Sequence, residues 1–361
     1  MPEPWGLHPV GYERLDLADS SRQEVRGARA GSPRRLVLQL WYPARGSVTE
    51  PTVYMDSLTA GAWAANQRLP AGFQNRVLTA AQRGLPVVDS LGPLPVLLFS
   101  HGRTWPVQTY QMMLQDLASR GWLVVAMSHP YEEVLTTFAD GSAARFDQPS
   151  WDTPAERGRL LTEAVDVLVQ DAEFTVRSLI RWNEQAGHPL RGRVDTARIG
   201  YFGHSLGGAA AARALSRLPG VLAAATIEGS VYDSASRPMV VEKPLMNIIG
   251  GYNRAELGLR DYLAAPGAVV FEVIVHGAWH ASFADLLLIY GATAPRAWRE
   301  RHRRELSPVR VNQITTDYLH AFFRRYLLGE QSLLLRPHSD PELGNFETSG
   351  YPEVELRVVA G

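Results

Sequence analysis

The apolar positions of this chain come in short unbroken runs separated by longer stretches of helical spacing. Val96-Leu97-Leu98-Phe99, Leu123–Met127, Ala223–Ile227, Pro244–Gly250 and Val269–Val275 are runs without alternation. Such runs suit strands covered on both faces. Arg198–Gly203 reads as another strand, and Arg35–Tyr42 as one that Pro43 ends. Between them, Tyr110–Arg120, Arg159–Trp182, an alanine-rich segment after Gly207, and Val309–Leu328 carry helical spacing. Strands alternating with helices imply a mostly parallel central sheet with right-handed crossovers and helices on both faces.

The remainder is less periodic. The first residues to about Arg35 are rich in Gly, Pro and charge. Residues 44–94 are irregular apart from a short helical stretch at Leu58–Arg68, and read as a decoration that does not fold alone. Residues 128–157 read as a polar insertion in which Phe146 and Trp151 could form a lid. The expectation is one domain over 1–361: an N-terminal strand and decoration to 94, a catalytic core over 95–330, and a tail over 331–361.

Composition removes several classes of function. The 361 residues carry 36 Lys and Arg against 37 Asp and Glu, a net charge of -1. A general nucleic-acid binder shows a basic excess, so none is expected to be bound. Arg296–Arg304 holds five arginines, but opposite charge interleaves there, as on a solvated helix face. Without cysteine there is no disulfide, thiol catalysis or thiolate-held metal. No run approaches the ~18 apolar residues of a membrane span, so no stable membrane insertion is expected. The start lacks a secretory signal, which suggests a cytoplasmic protein, although a mature secreted form would look the same.

Chemistry concentrates in Gly203-His204-Ser205-Leu206-Gly207, a G-x-S-x-G motif that follows a strand and opens a helix. The glycines permit a tight turn, which lifts the Ser205 hydroxyl above the sheet edge at a helix N-terminus. A serine needs a base, and in this arrangement the chain order is serine, acid, histidine. His280 lies in the loop after strand Val269–Val275 and suits that role; His276 reads as a packed or solvent-facing histidine. The acid should end a strand between them. Pro244–Gly250 ends without a carboxylate, whereas Ala223–Ile227 runs into Glu228, so Glu228 is the candidate, with Asp233 and Glu256 as fallbacks.

An acyl-transfer site also needs donors for the oxyanion. The backbone N–H of Leu206 is one. Arg103 is chosen for the other, because Gly102 lets the chain turn its next N–H inward. Trp105 and Trp279 neighbour these residues and are either walls of an acyl pocket or plain core; they and His204 are the expected substrate contacts. No His, Asp and Glu cluster has metal-ligand spacing, and no phosphate-binding glycine loop opens a helix, so neither metal nor cofactor is expected.

Several of these segments together resemble one family. They are Pro95–His101 with Gly102, Leu117–Trp122, G-H-S-L-G-G, His280-Ala281-Ser282-Phe283-Ala284-Asp285, and Val37–Pro43. The chain is similar, from about Val10 to Leu328, to the platelet-activating-factor acetylhydrolases of the plasma and isoform-II type, within the α/β-hydrolase superfamily. The resemblance implies an α/β-hydrolase fold and hydrolysis of short or platelet-activating-factor-like acyl esters. It also implies an acid at the Ile227-Glu228 position, where the family usually carries L-D. The extra methylene of Glu228 must be absorbed by a shift of backbone or histidine. Lactone opening or acyl transfer by the same triad, and a non-catalytic ligand binder, are the alternatives; intact Ser205 and His280 argue against the last.

Overall fold

The computed structural model describes residues 1–232, 238–252, 261–293, 305–336 and 350–361. Asp233, Glu256 and the whole Arg296–Arg304 segment lie outside the described residues. In chain order the elements are β1 (Val10–Gln23), β2 (Pro33–Pro43), α1 (Ser57–Gln67), β3 (Ala81–Arg83), β4 (Leu94–Ser100), α2 (Gln111–Ser119) and β5 (Leu123–Ser128). Then come β6 (Leu135–Thr137), β7 (Ala143–Arg145), α3 (Pro154–Glu184), β8 (Val194–His204), α4 (Leu206–Arg217) and β9 (Val221–Ile227). The last are β10 (Met239–Val241), β11 (Leu245–Gly250), β12 (Tyr262–Ala264), β13 (Val269–Val275), α5 (Leu286–Thr293), α6 (Pro308–Leu328) and β14 (Val354–Ala360).

Ten strands form one sheet in the order β14-β13-β11-β9-β8-β4-β5-β2-β1-β3. Its centre, from β13 to β5, is parallel throughout. The apolar runs are buried because both faces are covered. One face packs on α2 and α6 through Met113, Leu117, Ile314, Tyr318, Phe322 and Phe323. The other packs on α3 and α4, where Leu161, Ala164, Val165, Leu168, Ala172 and Leu179 repeat at three- and four-residue steps. Each fully buried Leu or Val contributes roughly 1.5–3 kcal/mol. The fold is that of an α/β-hydrolase, as expected.

Three regions depart from the sequence reading. The N-terminal segment is not irregular: β1 is a 14-residue strand paired antiparallel with β2. Its side chains are mostly half-buried, so it shows no strong apolar face. The segment expected as a tail ends in β14, which pairs antiparallel with β13 and closes that edge of the sheet. Its alternation Val354-Glu355-Leu356-Arg357-Val358 is a strand signal. The insertion is shorter than expected, because α3 starts at Pro154. Thr153 caps it in a capping box with Glu156, and proline takes the first helical position, where it lacks only an orphan N–H.

Candidate active site

Parallel strands deliver their carboxyl ends to one edge of the sheet, the usual place for a site in such folds. Here β4 leads into His101-Gly102-Arg103, β8 into Ser205, β9 into Glu228, and β13 into the loop bearing His280. The Ser205 backbone has φ 54° and ψ −116°, a region costly for any residue with a Cβ, by about 1–3 kcal/mol. Close packing on both sides imposes it. A Cβ at Gly207 would sit 2.1 Å from the carbonyl oxygen of Ser100, and one at Gly203 would sit 2.4 Å from Gly207. The Ser205 N–H donates to Ile227 O at 2.8 Å, tying the elbow to β9. Ser205 therefore stands half-exposed at the N-terminus of α4.

Glu228 also has a positive φ, 54°, and its N–H donates to Ile248 O at 2.8 Å. Its side chain is fully buried. One carboxylate oxygen accepts from the Gly250 N–H, and the other lies 3.2 Å from His280 Nδ1. The longer glutamate side chain thus spans from the end of β9 to the imidazole. His280 opens a short 3-10 turn, His280–Phe283, and its side chain is 40% exposed. His276 stays at the surface, 3.7 Å from Glu355, as expected of a histidine without a role.

On the β4 side, neither the Arg103 nor the Leu206 N–H donates to a protein acceptor among the described hydrogen bonds, whereas the Gly102 N–H donates to Tyr110 Oη. The Arg103 guanidinium lies between the rings of Phe146 and Trp151, 4.6 and 4.8 Å from their centroids, and donates to Gln148. Those three residues come from the insertion, which also pairs with the loop after β4: Thr104 N–H donates to Glu132 O, and Val134 N–H to Thr104 O.

Trp105 and Trp279 are both half-buried against a cluster of Tyr54, Met55, Trp63, Phe73, Leu286 and Ile289. Trp105 meets Trp63 edge-on at 5.3 Å. The irregular residues 44–94 therefore build one wall beside the site.

One sequence expectation is corrected. His204 is not available to a substrate, because it is completely buried and both ring nitrogens are engaged. Its Nδ1 is 2.8 Å from Tyr110 Oη, and its Nε2 is 3.0 Å from the carbonyl oxygen of His280. A residue between the end of a buried strand and an elbow points into the layer beneath the site.

Two residues beside the site carried no derivable signal. Tyr110 is distant in sequence from every motif except the Gly102 turn. Asp285 belongs to the segment His280–Asp285, yet its task appears only in three dimensions. Buried, it accepts from Tyr54 Oη at 3.1 Å and faces the Met112 N–H at 3.4 Å, which clamps the histidine loop to the start of α2. Burial pushes its carboxyl up to about 8.

Among the described residues no group of three or more His, Asp and Glu could hold a metal, and no helix is long and apolar enough to cross a membrane.

Comparison with known proteins adds the following. The model of the family described as platelet-activating factor acetylhydrolase, isoform II, matches residues 40–178, a span that stops short of Ser205, Glu228 and His280. Over 98% of this chain and 92% of the relative, the sequence is 25% identical to a probable 1-alkyl-2-acetylglycerophosphocholine esterase of Arthroderma benhamiae. It is 29% identical to the platelet-activating factor acetylhydrolase of Cavia porcellus, over 34% of this chain and 32% of that one. Among solved structures, a ferulic acid esterase from Streptomyces cinnamoneus superposes with a TM-score of 0.73 at 27% identity, covering 98% of this chain and 97% of its own. The chain is thus similar to the platelet-activating factor acetylhydrolases of isoform II over residues 40–178, and it is an ester hydrolase of the α/β-hydrolase type.

Proposed function

We propose that this ester hydrolase works through an acyl-enzyme on Ser205, with His280 as general base and acid and Glu228 as the carboxylate that orients it. The observation that carries the reading is Glu228, buried and 3.2 Å from His280 Nδ1, beside a serine held at a strained elbow. His280 takes the proton of Ser205 Oγ as that oxygen attacks the ester carbonyl. Glu228 accepts from Nδ1–H, fixes the tautomer and stabilises the imidazolium. The N–H groups of Leu206 and Arg103 receive the oxyanion, each such donor contributing ~3–4 kcal/mol. His280 then protonates the leaving alcohol, and water attacks the acyl-enzyme by the reverse path.

The substrate proposed is a small ester with a short acyl chain, of the platelet-activating-factor type. It rests on the relatives named as 1-alkyl-2-acetylglycerophosphocholine esterase and platelet-activating factor acetylhydrolase. A second reading, an aromatic acyl ester, is favoured by the likeness to a ferulic acid esterase and by Trp105, Phe146, Trp151 and Trp279 around the site. A panel of p-nitrophenyl esters of rising chain length, run beside methyl ferulate, separates the two. A kcat/KM highest at acetate to butyrate supports the first reading. Preference for methyl ferulate supports the second, and a rate still climbing at long chains overturns both.

A further inference from the structure

Four groups beside the site form a hydrogen-bond chain whose direction is fixed. The carbonyl oxygen of His280 can only accept, so the proton of His204 sits on Nε2, 3.0 Å away. Nδ1 of His204 is then a lone pair, and Tyr110 Oη, at 2.8 Å, must donate to it. The Tyr110 oxygen in turn accepts from the Gly102 N–H at 3.2 Å. The chain runs Gly102 N–H to Tyr110 to His204 to the backbone of His280. Its two ends are the turn that presents the Arg103 N–H and the residue that carries the imidazole.

Both middle side chains have no exposed surface. The His204 ring is packed between Trp105 and His280, at 5.7 and 4.4 Å between centroids. Space around Gly102 is limited by the same pair: a Cβ there would lie 2.9 Å from His204 Nδ1 and 3.2 Å from Tyr110 Oη. Burial keeps His204 neutral and Tyr110 protonated, so the direction of the chain does not reverse with pH.

We infer that Tyr110 and His204 are positioning residues that hold the oxyanion turn and the histidine loop at a set separation. The inference rests on the proposed roles of Arg103 and His280. A one-ångström error in that separation would misplace either the oxyanion donor or the base, the kind of displacement that costs about 10²-fold in rate. Neither residue touches the substrate, so the effect belongs in kcat.

The test uses Tyr110→Phe, His204→Gln and His204→Phe in the full chain. Each is assayed with p-nitrophenyl acetate and for labelling of Ser205 by a fluorophosphonate, with the fold checked by thermal melting. Gln keeps an N–H to donate to His280 O, whereas Phe keeps the ring shape and loses both polar contacts. Tyr110→Phe should lower kcat roughly tenfold with KM little changed, the size of one hydrogen bond lost from a buried network. His204→Phe should lose about a hundredfold, and His204→Gln should recover most of that loss. A role in packing alone predicts the opposite order, with Phe better than Gln. That order, or wild-type kcat in Tyr110→Phe, overturns the inference. If wild-type protein is labelled at a residue other than Ser205, the proposed nucleophile fails instead, and the mapped peptide tells the two failures apart.

Discussion

Two groupings of serine, histidine and carboxylate can be compared among the described residues, and their surroundings differ. In the first, His280 Nδ1 lies 3.2 Å from Glu228, and Ser205 stands at the end of β8 on the same sheet edge. In the second, Ser100 Oγ lies 2.8 Å from His129 Nε2, and His129 Nδ1 lies 2.9 Å from Asp171. The residue types match, yet every physical condition differs. Ser100 sits in the regular strand β4, and its hydroxyl is shared with Tyr201 Oη at 2.6 Å. Ser205 takes the strained elbow and is half-exposed. Asp171 is held well below the usual carboxylate range: burial opposes its charge, but Arg34 and His129 overcome that cost. Arg34 and Arg22 contact it at 2.8 and 2.7 Å. Its charge is already matched by two guanidinium groups and is not reserved for an imidazolium. Burial holds His129 below the ordinary histidine range, so it stays a neutral link.

The second array has a structural task. It joins β4, the start of the insertion, α3 and the N-terminal hairpin. The backbone N–H of His129 also donates to His101 Nε2, just under the Gly102-Arg103 turn. A serine that is strained, accessible and next to unspent N–H donors suits nucleophilic catalysis. The same three side chains without those features are a bolt.

Breaking the comparison outright requires moving the nucleophile. Ser205→Ala should reduce kcat by ~10⁶, as removal of a triad serine does elsewhere. Ser100→Ala should keep fluorophosphonate labelling at Ser205. Peptide mapping that finds the label on Ser100 would reverse the assignment.

The two carboxylates give the next contrast. Glu228→Gln should lower turnover about 10²–10⁴-fold with KM nearly constant, since the acid acts mainly in the transition state. Asp171→Asn should instead cost a few kcal/mol of stability (~3 kcal/mol), because it removes one of the two carboxylates, with Glu24, that balance the buried charge of Arg34. Turnover per active site, counted by titration, should stay within several-fold. Urea unfolding and active-site titration of both variants decide the matter, and exchanged phenotypes would refute it.

Acid should expose the same difference. A carboxyl depressed in the native state adds stability above its unfolded pKa, about 4, and loses it as pH falls below that. The stability gap between wild type and Asp171→Asn should therefore narrow from pH 5 to pH 3. A gap that stays constant in urea melts across that range would mean that Asp171 does not stabilise by its charge.

The opposite pH dependence is expected at Glu133, in the insertion. Burial pushes its carboxyl up to about 8, and Thr136 donates to it at 2.6 Å. The native state then keeps a proton that the unfolded chain releases near pH 4–5, so wild-type stability falls between about pH 5 and 8. Glu133→Gln does not titrate. Its advantage over wild type should grow by a few kcal/mol across that range and level off above it. Parallel melting curves for the two proteins from pH 5 to 9 would contradict this.

Legibility followed the strength of local signals. Largely apolar runs without strict alternation marked five of the six central parallel strands, because both of their faces are buried. The elbow was legible because two glycines, a strand and a helix must coincide there. The pairing of Glu228 with His280 was anticipated from chain order, since the next strand ends in glycines. β1 was missed because its half-buried faces blur the period of two, and β14 because its alternation stands alone, far from the core motifs. His204 was assigned to the substrate from proximity to Ser205 alone. Sequence adjacency says nothing about which side of a strand end a side chain takes.

By itself the sequence determined the fold class, the strand ends that carry Ser205 and Glu228, and the turn that strains Ser205, because each depends on local backbone chemistry or on periodicity. Only the tertiary structure decided which serine is exposed, that Asp171 is matched by arginines from the N-terminal hairpin, and that Tyr110 meets His204 94 residues away. Those outcomes arise from contacts between distant segments. Desolvation and hydrogen-bond direction are set there, and neither is a property of a residue type.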